Sequence, residues 1–186
     1  MKKILILLMI TISISCYAPC INKETANKEK EMVFSMKEKF KQNELQRFLD
    51  AIAQSESGGN YKVYNSLGYI GLYQFGVSAR RSTGFAHISF QAFKHNPNIW
   101  SEEDQDTAMI RLMDKNEKHL IDIIRYVEGN EIMIRDKRIT KSGVLSSAHL
   151  AGFYGVKKYF DHGFNPKDIN GTSLENYLYK FSGYEF

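Results

Sequence analysis

Cysteine is nearly missing from this chain of 186 residues: there are two, Cys16 and Cys20, and nothing after them. No disulfide framework is available, so the fold must rest on an apolar core. Beyond the first residues no stretch approaches the roughly 20 consecutive apolar positions that a membrane-crossing helix needs. The histidines His87, His95, His119, His149 and His162 are scattered, without paired spacing on one helix and without cysteines to complete a ligand set, so no metal centre is expected. A glycine-rich phosphate loop is also lacking, and no cofactor is expected. Neither sign of charge dominates: 25 Lys and Arg stand against 21 Asp and Glu. There is no basic stripe of the kind nucleic acid requires. No internal repeat is visible.

What is present begins with an export-like segment over 1–20. Lys2 and Lys3 precede a short hydrophobic run, Ile4 to Ile14, too brief for a stable anchor. Two cleavage readings stand. Ile14-Ser15-Cys16 resembles the end of a lipoprotein box, which would leave Cys16 lipidated and the protein attached to a membrane through that anchor; alternatively the cut is an ordinary one near Ala18 or Cys20. Either way the expectation is an exported protein of the periplasm or cell envelope, on the first reading an outer-membrane lipoprotein. Loss of Lys2 and Lys3 would lower the formal charge of +4, leaving a weakly positive surface suited to an anionic wall polymer. Residues 21–42 are rich in Lys and Glu and read as a charged linker or a solvated helix. Residues 43–186 have the size of one ordinary domain.

The domain reads as mainly α (α+β). Asn43 to Glu56 has helical periodicity, with Leu45, Phe48, Leu49, Ile52 and Ala53 on one stripe and Arg47, Asp50 and Gln54 opposite. Glu56 falls on the apolar stripe in the last turn, before Ser57-Gly58-Gly59 stops the helix. Burial and the negative end of the helix dipole both disfavour a carboxylate there, which makes Glu56 a candidate general acid; the bland alternative is a chance acid at a frayed end. Tyr61 to Gly76 looks like an irregular hairpin or a set of turns. Ser101 caps a helix whose apolar face carries Met109, Leu112, Met113, Leu120, Ile123, Ile124 and Val127, with room for a kink near Asn116. Ile132 to Ile139 reads as a loop or short ribbon. A helix from Thr140 or Ser142 carries Val144, Leu145 and Ala148. Gly152 and Gly155 then bound a turn before another short helix, and a capped helix over Leu174 to Phe181 closes the chain.

Three stretches in order carry a resemblance: Glu56-Ser57-Gly58-Gly59-Asn60-Tyr61, then Gly68-Tyr69-Ile70-Gly71-Leu72-Tyr73-Gln74-Phe75-Gly76, then Ser147-Ala148-His149-Leu150-Ala151-Gly152-Phe153-Tyr154-Gly155. Together they resemble the lysozyme-like superfamily, within it the lytic transglycosylases that cleave peptidoglycan, and more closely a branch of phage-associated and bacterial cell-wall lysis domains. The likeness spans about Leu45 to Phe186. It implies a lysozyme-like helical domain with a small irregular β element after the catalytic helix, acting on peptidoglycan glycan strands. It matches Glu56 to the catalytic acid, Ser57 to a residue that orients it, Gln74 to a glutamine lining the sugar cleft, and Tyr177 to a late tyrosine near the acid. His149 and Leu150 stand where a tyrosine and an asparagine are usual, so a polar sugar contact is lost or supplied from elsewhere.

Other readings of these positions stay open. Gln74 would equally satisfy backbone groups in its turn, and His149 would equally be a hydrogen-bonded core histidine. Tyr73, Tyr154 and Tyr177 are candidate sugar contacts or core aromatics with hydroxyls at the surface. No second acid is singled out by a motif, since Asp161 and Asp168 look like turn residues. The expected chemistry is therefore a single-acid cleavage of the MurNAc–GlcNAc bond giving 1,6-anhydro ends. Hydrolysis of the same bond by a muramidase, and a non-catalytic wall-binding lipoprotein, remain as alternatives.

Overall fold

The computed structural model describes residues 23–186, with side chains described from Asn27 onward. The expected export segment and Cys16 lie outside the described residues. The chain divides into two units, Met1–Lys37 and Glu38–Phe186. Helix α1 is continuous from Lys23 to Ser57. In the first unit its residues 27–37 are exposed, Met32, Val33, Phe34 and Met36 included. The described residues up to 42 lie in this helix, and the second unit begins at Glu38.

In the second unit α1 buries the stripe that its spacing predicts: Phe48, Leu49, Ile52 and Ala53 are in the core, while Arg47, Asp50 and Gln54 are exposed. Gly58 and Gly59 take φ of 63° and 77°. Their N–H groups turn back to the carbonyls of Gln54 and Ala53, each at 3.2 Å. Left-handed backbone at two successive glycines ends the helix one residue after Glu56.

The segment that follows makes isolated bridges, Tyr64 with Ile70 and Ile70 with Phe75, and no regular sheet. Helices α2 (Val77–Ser82) and α3 (Phe90–His95) and a 3-10 turn (Pro97–Ile99) lead to the long helix α4 (Glu102–Asn130). Ser101 caps α4 by accepting from the Asp104 N–H at 3.1 Å, with three acids in the first turn as the dipole favours. Met109, Met113, Leu120, Ile124 and Val127 are buried at helical spacing. The sequence leaves room for a kink near Asn116, and α4 runs through it unbroken. The regular sheet is a two-stranded antiparallel ribbon, β1 (Met133–Ile134) and β2 (Lys137–Arg138), with Met133 opposite Arg138.

Helix α5 (Lys141–His162) is two helical stretches meeting at Gly152, which leaves helical geometry (φ 69°, ψ 162°); the expected break before a further short helix falls there, and Gly155 lies within the second stretch. Only glycine enters that region of backbone space without strain. Helix α6 (Leu174–Phe181), capped by Ser173, buries Leu174, Tyr177, Leu178 and Phe181. It approaches α5 across small residues: a Cβ built on Gly143 would stand 2.7 Å from the Leu178 carbonyl oxygen. The Ser146 and Ser147 hydroxyls reach the carbonyls of Tyr177 and Leu174, each at 3.3 Å. The core is aromatic. Trp100 packs against Phe75 and Phe85 (5.3 and 5.4 Å between centroids), and Phe48 packs against Tyr184 and Phe186 (5.4 and 5.0 Å). The second unit is thus mainly helical with a small β element, as composition and periodicity lead one to expect. No helix among the described residues is long and apolar enough to cross a membrane.

Candidate active site

A groove of about 1230 Å³ runs over the second unit between the end of α1, the 65–79 segment, α4, α5, the 167–172 turn and α6. That exceeds the roughly 300–1,000 Å³ typical of a small-molecule pocket and suits an extended ligand. Three side chains from three separate helices converge at its floor. Glu56 ends α1, His149 comes from α5 just before the Gly152 kink, and Tyr177 comes from α6. The Tyr177 hydroxyl donates a hydrogen bond to Glu56 Oε1, and His149 Nε2 lies 3.9 Å from the same oxygen. The side chain of Glu56 keeps 17 % of its surface and that of His149 only 8 %. The acid is therefore reachable from the groove but fixed from behind.

Each partner has a defined proton. Burial, then the neighbouring Glu56 charge and the hydrogen bond to it, push the Tyr177 hydroxyl well above the ordinary phenol range. It therefore stays a donor. His149 Nε2 is 2.9 Å from the Tyr73 carbonyl oxygen, which can only accept, so Nε2 carries hydrogen. Nδ1 of the same ring is buried without a partner, and the ring edge packs on Phe75 at 5.9 Å. With Oε1 occupied by Tyr177, a proton carried by Glu56 sits on Oε2.

Of the other expected site residues, Gln74 is held within its turn at the edge of the groove. It lines the groove, and its amide also accepts from Asn65 at 3.0 Å and donates to the Gly71 carbonyl at 2.9 Å, with the residue at φ 49°. Leu150 lines the groove too. Three expectations are corrected. Ser57 is outside the groove lining, and its hydroxyl donates to the Ala53 carbonyl at 3.0 Å, the bond back to i−4 that serine makes in a last helical turn. Tyr73 takes the core-aromatic alternative: it is buried outside the groove lining, and its hydroxyl donates to Asp106 at 2.6 Å, so it fastens the segment to α4. Tyr154 is 71 % exposed and lies outside the lining. It follows Phe153, which does line the groove, and successive helical residues diverge by about 100°.

Some groove residues were not singled out by sequence. Asn116 on α4 is 6 % exposed, lines the groove and has no hydrogen-bond partner among the described residues. His119 stacks on Phe153 at 4.2 Å and 10° between planes, forming a flat wall. Asp168, read from the sequence as a turn residue, is one: it lines the groove, and its Oδ1 accepts from the N–H groups of Asn170 and Thr172 (2.9 and 2.7 Å) and closes their turn. Asn65, Gln74, Asn116, Asn170 and Asn176 place five amides along the walls. Among the described residues no group of His, Cys, Asp and Glu is arranged to hold a metal ion.

Compared with protein-family models, curated proteins and solved structures, the chain matches none.

Proposed function

We propose that this protein is an exported peptidoglycan lytic transglycosylase that cleaves the MurNAc–GlcNAc β-1,4 bond with Glu56 as its one general acid and base. The observation that carries the reading is the meeting of Glu56, Tyr177 and His149 at the floor of a long groove walled by amides and a flat aromatic stack. Amides both donate and accept, which suits sugar hydroxyls and N-acetyl groups. Glu56 delivers its Oε2 proton to the glycosidic oxygen, and the substrate's own N-acetyl oxygen steadies the oxocarbenium-like centre. Tyr177, still donating to Oε1, stabilises the carboxylate so formed. That carboxylate then takes the proton of the C6 hydroxyl, whose oxygen closes the 1,6-anhydro ring. Glu56 ends protonated, ready for the next bond.

Hydrolysis is the second reading, and Asp168 at the groove is the observation that favours it, since most glycosidases use two carboxyl groups. One experiment separates the two: digestion of purified peptidoglycan, with mass spectrometry of the released muropeptides. Anhydro ends are expected from wild type, and reducing ends would assign a muramidase instead. Glu56→Gln keeps the volume and loses the transferable proton, so activity should fall about 10²–10⁴-fold. Asp168→Asn keeps the turn through its amide oxygen and should leave the anhydro product unchanged. Wild type that binds the wall but releases nothing would make the protein a binder.

A further inference from the structure

Beside the groove lies a second hollow, of about 700 Å³, lined by Arg135, Asp136 and Lys137 of the ribbon and Asn176, Tyr179 and Lys180 of α6. Asn176 and Lys180 line the groove as well, so the two spaces share a wall. The half-buried Tyr179 ring is its platform, with the Arg135 guanidinium 5.0 Å and the Lys137 ammonium 5.6 Å from the ring centre. The Tyr179 hydroxyl donates to Asp136 Oδ1 at 2.9 Å, which ties the turn of the ribbon to the helix. Lys137 otherwise reaches only the Lys180 carbonyl at 3.3 Å, and Lys180 donates to Ser55 Oγ at 2.6 Å. None of these three cations is paired with a carboxylate among the described residues, and Asp136 is the one acid in the lining. Arg135 also occupies left-handed backbone, φ 57°, at the ribbon's turn. Glycine or asparagine fits that position without the strain arginine bears there.

We propose that this hollow is a subsite for the stem-peptide carboxylates of the glycan strand seated in the adjoining groove. The inference rests on the glycan reading of that groove and deepens it. A strand lying along the groove carries its peptides sideways from each muramic acid. The shared wall at Asn176 and Lys180 leads such a branch from the sugar floor to the cations. A planar guanidinium with two ammonium groups is suited to carboxylates, and the tyrosine face gives the peptide an apolar support.

The test uses the Glu56→Gln protein, which holds substrate without turning it over. Binding is measured to glycan oligomers bearing stem peptides, to the same oligomers stripped of peptide, and to a glycerol-phosphate oligomer. The paired change Arg135→Gly with Lys137→Gln relieves the turn strain and removes two charges, and its melting temperature checks that the fold is kept. Peptide-bearing glycan should bind more tightly than stripped glycan, and the paired change should weaken only the former, by roughly tenfold. Equal binding of both glycans, or equal loss on both, would overturn the subsite while leaving the groove reading in place. Tighter binding of glycerol phosphate than of either glycan, abolished by the same change, would reassign the hollow to wall phosphate. Failure to bind both glycans would remove the groove reading itself.

Discussion

At the scale of single residues the site is defined by which hydrogen-bonding groups are used up and which are left. Glu56 Oε1, His149 Nε2 and both ends of the Gln74 amide have partners inside the protein. Asn116 does not, and its amide is not among the buried atoms cut off without a partner, so it stands open to the groove. An amide left free on a groove wall can both donate to and accept from a ligand. Asn116→Leu should therefore leave the melting temperature little changed, and KM for soluble glycan oligomers should increase about two- to tenfold while kcat changes little. A fall in kcat at constant KM would refute this role. Asn116 was illegible in the sequence because it sits within a helix whose pattern reports only the apolar face. Glu56 was legible for the opposite reason: an acid on an apolar stripe breaks the pattern.

At the scale of elements the groove depends on how an irregular segment is held, since 61–76 has almost no ladder of its own. Gln105 of α4, fully buried, holds it. Its Oε1 accepts the Leu72 N–H, and its Nε2 donates to the carbonyls of Trp100 at 2.9 Å and Tyr61 at 3.0 Å. The segment fits over that amide because residue 71 is glycine: its φ is 80°, and a Cβ there would meet Gln105 Oε1 at 2.3 Å. Gly71→Ala should destabilise by about 3 kcal/mol or more, from left-handed strain and from displaced buried hydrogen bonds. In a domain of this size that lowers the melting temperature by roughly 8 °C or more. Combined with Gln105→Ala the loss should be less than additive, because both changes break the same bonds. An additive pair would show that the two do not act together. The amphipathic helices α4 and α6 were readable because burial follows their periodicity. The 61–76 segment was readable only as irregular, since its shape is imposed by a glutamine over thirty residues away. The break in α5 was legible, but not that Gly152 alone carries it: Gly152 and Gly155 look alike in sequence, and only the packing of the helix decides which one leaves helical geometry.

At the scale of the whole molecule the same α4 start couples the fold to pH. Asp106, next to Gln105, accepts from the buried Tyr73 hydroxyl at 2.6 Å. Burial holds its carboxyl above the ordinary value of 3.8; Asp50 and Glu103 add to the shift, and only the Tyr73 hydrogen bond opposes it. A carboxyl whose folded pKa is raised binds more protons in the native than in the unfolded chain across the interval between the two values. Its stabilising contribution is complete below about pH 4 and is lost as pH rises through the folded value. Asp106→Asn removes that titration and keeps an oxygen to accept from Tyr73. The melting temperature of the variant, measured against wild type, should therefore gain steadily from about pH 4 towards neutrality and then level off. A constant difference across that range would mean that the Asp106 charge costs the fold nothing. In Asp106→Asn the Tyr73 carbonyl that positions His149 stays where it is, so the pH profile of wall digestion should not shift with the stability curve. On the proposed reading, turnover depends on Glu56, while the Asp106 proton acts on stability.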